Sequence, residues 1–434
     1  MGHLKHGIKK NGVINDSLFI EGVRWGASAT ATAAAVAVAL WTSQGVASGF
    51  QLIEQNASGL GNSFAGQAAA AENASTIYFN PAGMTRLPGR QISAAVHYIK
   101  PSSSLTDSGS TNALGATGTS GGNAGVEAIV PNMYTSWQID PQLWLGLGVT
   151  VPFGLSTQYD KGWVGDYQTR KSSIKTTDIN PSIAYKVNDT VSLGAGVSVQ
   201  TLEATIERST YISAYGITRE SKLELSETGY GFNLGAMINL SPETRIGLAY
   251  RSSIKQNLGG NVNITGIANY SVSTTVKTPD NLSWSIAHQI NPKVELLGDV
   301  TYTWWSKIKS MPITTTTGTT LDTFEFQFRD TYRLGLGANF KLRDGLMLKA
   351  GTAYDQSPVV DQYRTATLPD NDRIWLSFGA KYQATKQLTL DMGYAHVFVK
   401  DASLNITKTN QGTVKGQYNN PNVDILSAQA TYSF

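Results

Sequence analysis

The sequence predicts an all-β protein: a 14-stranded antiparallel transmembrane β-barrel with an N-terminal plug inside its lumen. Three observations predict it. From Arg90 onward, short segments alternate apolar and polar residues with period two. Short and long links between those segments alternate without a break. The chain also ends within such a segment, "ILSAQATYSF", on the aromatic Phe434, whereas a free terminus is usually frayed and polar.

Composition agrees. Only 15% of residues are charged, 43 are glycine, and mean hydropathy is −0.17. A soluble domain carries about 25% charged residues. Yet no run after residue 50 approaches the roughly 20 apolar residues of a spanning helix. Low charge without long apolar runs suggests strands that are apolar on one face only. There are 34 basic and 31 acidic residues, a balance that does not suggest nucleic-acid binding. The absence of cysteine excludes disulfide and thiolate–metal chemistry.

Residues 1–47 read as a cleaved signal peptide. A basic leader through Arg24 precedes the small, apolar "GASATATAAAVAVALW". Gly45 and Ala47 then fit a small-x-small cleavage pattern before Ser48. The plainer alternative is a cytosolic protein with an Ala-rich first helix.

Residues 48–89 have no period-two pattern. Gly59, Gly61 and Gly66 lie among small residues, but no strand precedes them and no Lys-Ser/Thr pair follows, so a phosphate loop is not indicated. The segment reads instead as a compact plug. Without one, a fourteen-stranded lumen is wide enough to leak.

Residues 90–434 form the barrel. In "QISAAVHYI", Ile92, Ala94, Val96 and Tyr98 share a face; in "TYRLGLGANFKL", Tyr332, Leu334, Leu336, Ala338, Phe340 and Leu342 do so. Candidate strands fall near 90–100, 131–139, 142–151, 176–187, 190–208, 228–240, 244–256, 280–290, 293–305, 329–342, 345–355, 372–383, 387–399 and 424–434. Six links are short, including "DP", "VNDT" and "SPET", and seven are long. Bacterial outer-membrane barrels have this layout, with even strand number, short periplasmic turns and longer outer loops. Both termini then face the periplasm of a Gram-negative bacterium. In lipid no backbone N–H can stay unpaired, so the sheet must close. The last strand therefore pairs with the first, with Leu426, Ala428, Ala430, Tyr432 and Phe434 outward. A soluble sandwich or propeller gives no reason for the regular alternation of links.

Several motifs resemble the FadL family of outer-membrane transporters of long-chain fatty acids and other hydrophobic compounds. They are "SGFQL", "ASGLGNSFAG" and "NPAGM" in the plug, "TIERS" at 205–209, "FRDTYRLGLG" at 328–337, and "DQSPVVDQYRTATLPDNDRIWLS" at 355–377. The resemblance spans essentially the whole mature chain. It implies a fourteen-stranded barrel plugged by a hatch. Ligand is captured outside and leaves sideways through a kink in the third strand. Pro152, Phe153 and Gly154 would form that kink, since Pro cannot donate to a ladder and Gly weakens one; alternatively, Pro152 merely ends the strand. By motif position, Arg208 and Arg329 would hold a ligand carboxylate, although the fatty-acid prototype has Lys at the latter position. Both could instead pair with neighbouring carboxylates, Glu207 and Asp330, or face loop water. Ser48, Gly49 and Phe50 would gate the pocket, and Asn80, Pro81 and Ala82 match the hatch motif.

The implied function is passive uptake of long-chain fatty acids; the alternative is a channel for aromatic or alkane hydrocarbons of the same family. The expected partners are a hydrophobic small molecule and outer-membrane lipid or detergent, with the protein a monomer. No catalytic group, metal or cofactor is expected. After residue 47 only His97, His288 and His396 remain, and no motif supplies a Ser/His pair with an orienting group. A general porin would be more charged inside and would not need a Gly/Ala plug.

Overall fold

The computed structural model describes residues 49–434. The expected signal peptide and Ser48 lie outside the described residues.

Fourteen antiparallel strands close into a barrel. They are β1 Arg90–Ser102, β2 Ala128–Gln138, β3 Leu143–Thr150, β4 Lys171–Lys186, β5 Val191–Ile212, β6 Ile217–Asn239 and β7 Thr244–Arg251. The second half comprises β8 Asn281–Asn291, β9 Val294–Thr303, β10 Thr331–Arg343, β11 Leu346–Asp355, β12 Arg373–Gln383, β13 Leu388–Val399 and β14 Asn422–Ser433. The closing pair runs from Gln91 opposite Ser433 to Ser102 opposite Asn422. The predicted outward faces are outward. Val96, Tyr98, Leu334, Leu336, Leu426, Tyr432 and Phe434 are exposed, while Ser93, His97, Ser427, Gln429 and Thr431 are buried in the lumen. This inversion of the soluble pattern suits a wall whose outer solvent is hydrocarbon.

The long links differ from simple loops. β5 and β6 run 22 and 23 residues and meet in a tight hairpin, so the expected loop there is strand. Gly259–Ile264 pairs with β6, then Ala268–Ser273, Ser310–Thr315 and Thr320–Glu325 follow in order. Together they raise one side of the wall as a fin at the outer end. Across the mouth, Leu105–Asp107, Ala402–Lys408 and Gly412–Tyr418 form a three-stranded lid. Leu404, Val414 and Tyr418 of the lid pack on Tyr159 and Trp163, whose rings stack at 3.9 Å.

Residues 49–89 fill the lumen with short helices, Ala57–Leu60, Gln67–Ala70 and Thr76–Phe79, and the 3-10 turn Pro81–Arg86. Nearly all of this hatch is buried. Its backbone lies against the wall at glycines. A Cβ on Gly247 would stand 1.9 Å from the Ala68 carbonyl oxygen, and one on Gly351 would stand 2.2 Å from the Asn62 carbonyl carbon. Glu72 anchors the hatch by ion pairs to Lys349 on β11, at 2.7 Å, and Lys381 on β12, at 3.1 Å. Between the hatch and β6–β9 a cavity of about 60 Å³ remains.

Gly247→Val should therefore unseat the hatch while leaving the strand ladders able to close. The expected result is raised conductance of the purified protein in a planar bilayer. Unchanged conductance would contradict the close-approach argument.

Candidate functional site: the strand break and the hatch N-terminus

β3 pairs with β2 only from Trp144 to Val149. After Thr150 its chain leaves the wall, and Gly154–Gln158 resumes pairing with β4 alone, apart from a bridge between Thr157 and Gly125. On the other side of the break, Ala128–Asn132 of β2 keep their ladder to β1 but, among the described residues, have no ladder to β3. The wall thus has a slot between β2 and β3, and the exposed Ile129 lies on its rim. Pro152 supplies no N–H, so the ladder fails there for a chemical reason.

The hatch takes over the missing ladder. Leu52 N–H donates to the Pro152 carbonyl at 2.8 Å, and Gly154 N–H donates to the Phe50 carbonyl at 2.8 Å. Gln51 and Phe153 bridge antiparallel between them. Gln55 Nε2 donates to the Val151 carbonyl at 3.0 Å. The Val151 N–H reaches Asn132 Oδ1, while Asn132 Nδ2 donates to the Glu54 carbonyl. Thr176 of β4 closes the account with Phe153: its Oγ1 accepts from the Phe153 N–H at 2.9 Å and donates to the Phe153 carbonyl at 2.8 Å.

Aromatic packing holds the same junction. Phe50 lies 4.9 Å from Trp305 edge-on and 5.7 Å from Phe153, and Trp305 meets Phe328 at 5.7 Å. Leu155, Ile308, Val359 and Leu368 complete this chamber. Ile174, Val276 and Phe326 pack on it and also on a second apolar cluster under the fin, built from Ile206, Leu223, Val272, Ile313 and Phe324. A continuous apolar path therefore connects the outer fin with Phe50 and the slot. The hatch N-terminus is pinned at its far end by Asp370, whose Oδ2 accepts from Gly49 N–H at 2.8 Å. Arg373 and Ser357 hold that carboxylate.

Of the predicted site residues, Gly49, Phe50, Pro152, Phe153 and Gly154 meet at this junction. Asn80, Pro81 and Ala82 do not. Asn80 Nδ2 donates to the Ala68 and Ala236 carbonyls at 2.7 and 2.9 Å, and Pro81 and Ala82 lie against Gly194 of β5. Their contacts fasten the hatch to the wall. The two arginines have separate partners, and neither partner is the sequence neighbour considered above. Arg208, partly buried on β5, pairs with Asp322 of the fin. Arg329 is more exposed and pairs with Asp372 at 3.1 Å while donating Nε to the Ser357 carbonyl. Sequence reasoning missed Trp305, Asp370, Asn132 and Glu54 as parts of the junction.

Glu54 is fully buried, and neither carboxylate oxygen has a hydrogen-bond partner among the described residues. Burial pushes its carboxyl up to about 7, against the pull of Arg373 and Arg333 and with the push of Asp355.

Comparison with known proteins places this geometry in a family. The profile of the outer membrane protein transport protein family (OMPP1/FadL/TodX) matches residues 38–434. The chain belongs to this family. It is 30% identical to outer membrane protein P1 of Haemophilus influenzae over 84% of this chain and 88% of that protein. It is 29% identical to the long-chain fatty acid transport protein of Escherichia coli K12 over 85% and 92%. The crystal structure of a Pseudomonas aeruginosa FadL homologue superimposes with a TM-score of 0.84 at 25% identity, covering 89% of this chain and all of that one. The protein is a Gram-negative outer-membrane β-barrel of a family that transports hydrophobic compounds, and it is not an enzyme.

The buried Glu54 sets a pH dependence. Its carboxyl is protonated in the fold at pH values where the unfolded chain, near 4.5, has already ionised. The contribution of Glu54 to stability is then greatest below 4.5 and is lost as pH rises to about 7, by roughly 3 kcal/mol at 1.36 kcal/mol per unit. Thermal unfolding in detergent tests this: between pH 4.5 and 7, Tm should fall less steeply in Glu54→Gln than in the wild type. An unchanged slope in the variant would contradict the assignment.

Proposed function

We propose that this protein takes up long-chain fatty acids passively, capturing them under the fin and releasing them sideways into the membrane through the slot between β2 and β3. The observation that carries this reading is the exchange of ladder partners at Val151–Phe153. A wall strand that hydrogen-bonds to the plug rather than to its neighbour makes an opening whose state depends on the plug.

The energetics suit a gate. The junction is held by two backbone hydrogen bonds, each worth about 1 kcal/mol net, and by aromatic contacts of about 0.5–1.5 kcal/mol each beyond area burial. An alkyl chain gains about 0.8 kcal/mol for each CH₂ it buries. A long chain entering the Phe50–Trp305 chamber therefore gains enough to displace Phe50. Moving Phe50 draws away the Gln51 bridge and frees the slot. The polar wall elsewhere is filled by the anchored remainder of the hatch, so aqueous solutes do not follow.

Arg208 is the group proposed to meet the ligand carboxylate, since it lies beside the fin cluster and a charge entering an apolar site needs a charged partner. Arg329, also expected to bind the carboxylate, is proposed to act chiefly on the path by fixing the Ser357 and Asp372 segments over the chamber. A hydrocarbon channel is the second reading, favoured by one observation: both arginines already have aspartate partners, so an uncharged ligand leaves no charge unmet.

Replacing Pro152 by Thr and Gly154 by Val should rebuild a strand across the break. Cells carrying this variant should lose oleate uptake, while the purified variant still binds oleate. Normal uptake would show that ligand leaves by the periplasmic end.

A further inference from the structure

We infer that Lys408, at the tip of the lid, is a second cation of the outer capture site and selects for ligands with a single negative head. The inference rests on the fatty-acid reading above and adds a residue that no sequence motif indicates.

Lys408 is the last residue of its lid strand, opposite Gly412. The tip is fixed in place: Gln168 Nε2 donates to the Ile406 and Gly412 carbonyls, the latter at 3.0 Å. The Lys408 ammonium stands 5.2 Å from the centre of the Phe324 ring. Phe324 belongs to the fin strand that also carries Asp322, the partner of Arg208. Beneath the tip, Arg208, Ser221, Asp322 and Phe324 border a cavity of about 40 Å³, room for a few ordered waters.

The charge count around this cavity is uneven. Arg208 and Asp322 cancel. Among the described residues no carboxylate lies within ion-pair distance of Lys408, and a cation–π contact compensates a buried ammonium only in part. Burial pushes the Lys408 ammonium below the ordinary lysine range, against the pull of Asp322 and with the push of Arg208. One positive charge is thus left over in a partly desolvated place. A monoanionic head group neutralises it by lying between Lys408 and Arg208, with its chain along the apolar face of the fin. A dianion would bring a second, unmatched charge, and a neutral head would leave the ammonium as it is.

Competition binding with oleate and oleyl alcohol tests this on the intact protein. Lys408→Met keeps the apolar stem of the side chain. It should weaken oleate binding about tenfold, equivalent to about 1.4 kcal/mol, leave oleyl alcohol unchanged, and be rescued by Lys408→Arg. Wild-type oleate affinity in Lys408→Met, with Arg208→Ala still impaired, would overturn the role of Lys408 and leave the capture site standing. Equal loss for acid and alcohol would also overturn it, since that is a packing effect. If neither Lys408→Met nor Arg208→Ala changes oleate binding, the carboxylate reading itself fails and takes this inference with it.

Discussion

Every backbone N–H and C=O in a membrane-embedded sheet needs a partner, because hydrocarbon offers none. At Val151–Phe153 the partner is not the adjacent strand but the hatch N-terminus, with Asn132 and Thr176 completing the set. The rest of the structure depends on this substitution. It lets a closed barrel carry a slot while the backbone groups of Val151–Phe153 keep partners. It also joins the wall to the N-terminal segment of the plug, apart from the contacts that anchor the remainder. Gly49–Gln55 touches the break, whereas Glu72, Asn80 and the small-residue helices fasten the body of the hatch to β5–β8, β11, β12 and β14.

The fit between hatch and wall explains features that look unremarkable one at a time. Inward-facing glycines such as Gly247 and Gly351 sit where hatch backbone reaches the strands. The polar lumen face pairs with hatch groups: Gln429 accepts from Ala57 N–H, and Asn62 donates to the Ala338 carbonyl. Around the chamber the composition reverses, and Phe50, Phe153, Trp305 and Phe328 replace hydrogen bonds with aromatic contact. Polar packing fixes the plug, and apolar packing, which is non-directional, leaves a region that an alkyl chain can enter.

Much of this was legible in the sequence. Period-two alternation located all fourteen strands, within about five residues except that β6 begins at Ile217 rather than near 228, because one face of each meets lipid and the other the lumen. Pro152 marked the break, since its missing N–H is a local chemical fact. The fin lies within links that the strand pattern leaves as long loops, although "KLELSE" and "FEFQF" alternate, because beyond the bilayer no lipid requires a continuous apolar face. Junction partners such as Trp305, Asp370 and Asn132 could not be read, because they come from β2 and two outer loops far apart in sequence and only closure of the barrel brings them together. The pairing of Arg208 with Asp322 depends on the register of the fin in the same way. Lys408 had no signal at all: it is one lysine in a polar hairpin until the lid folds over Phe324.

The central claim is that ligand breaks the ladder between the hatch N-terminus and β3. The direct measurement is amide hydrogen exchange at Leu52 and Gly154, the two donors of that ladder, in purified protein with and without oleate. Exchange at both amides should accelerate when oleate is bound, while amides in Gln67–Ala70 keep their protection. If Leu52 and Gly154 stay as protected with ligand as without, the ladder is not the gate.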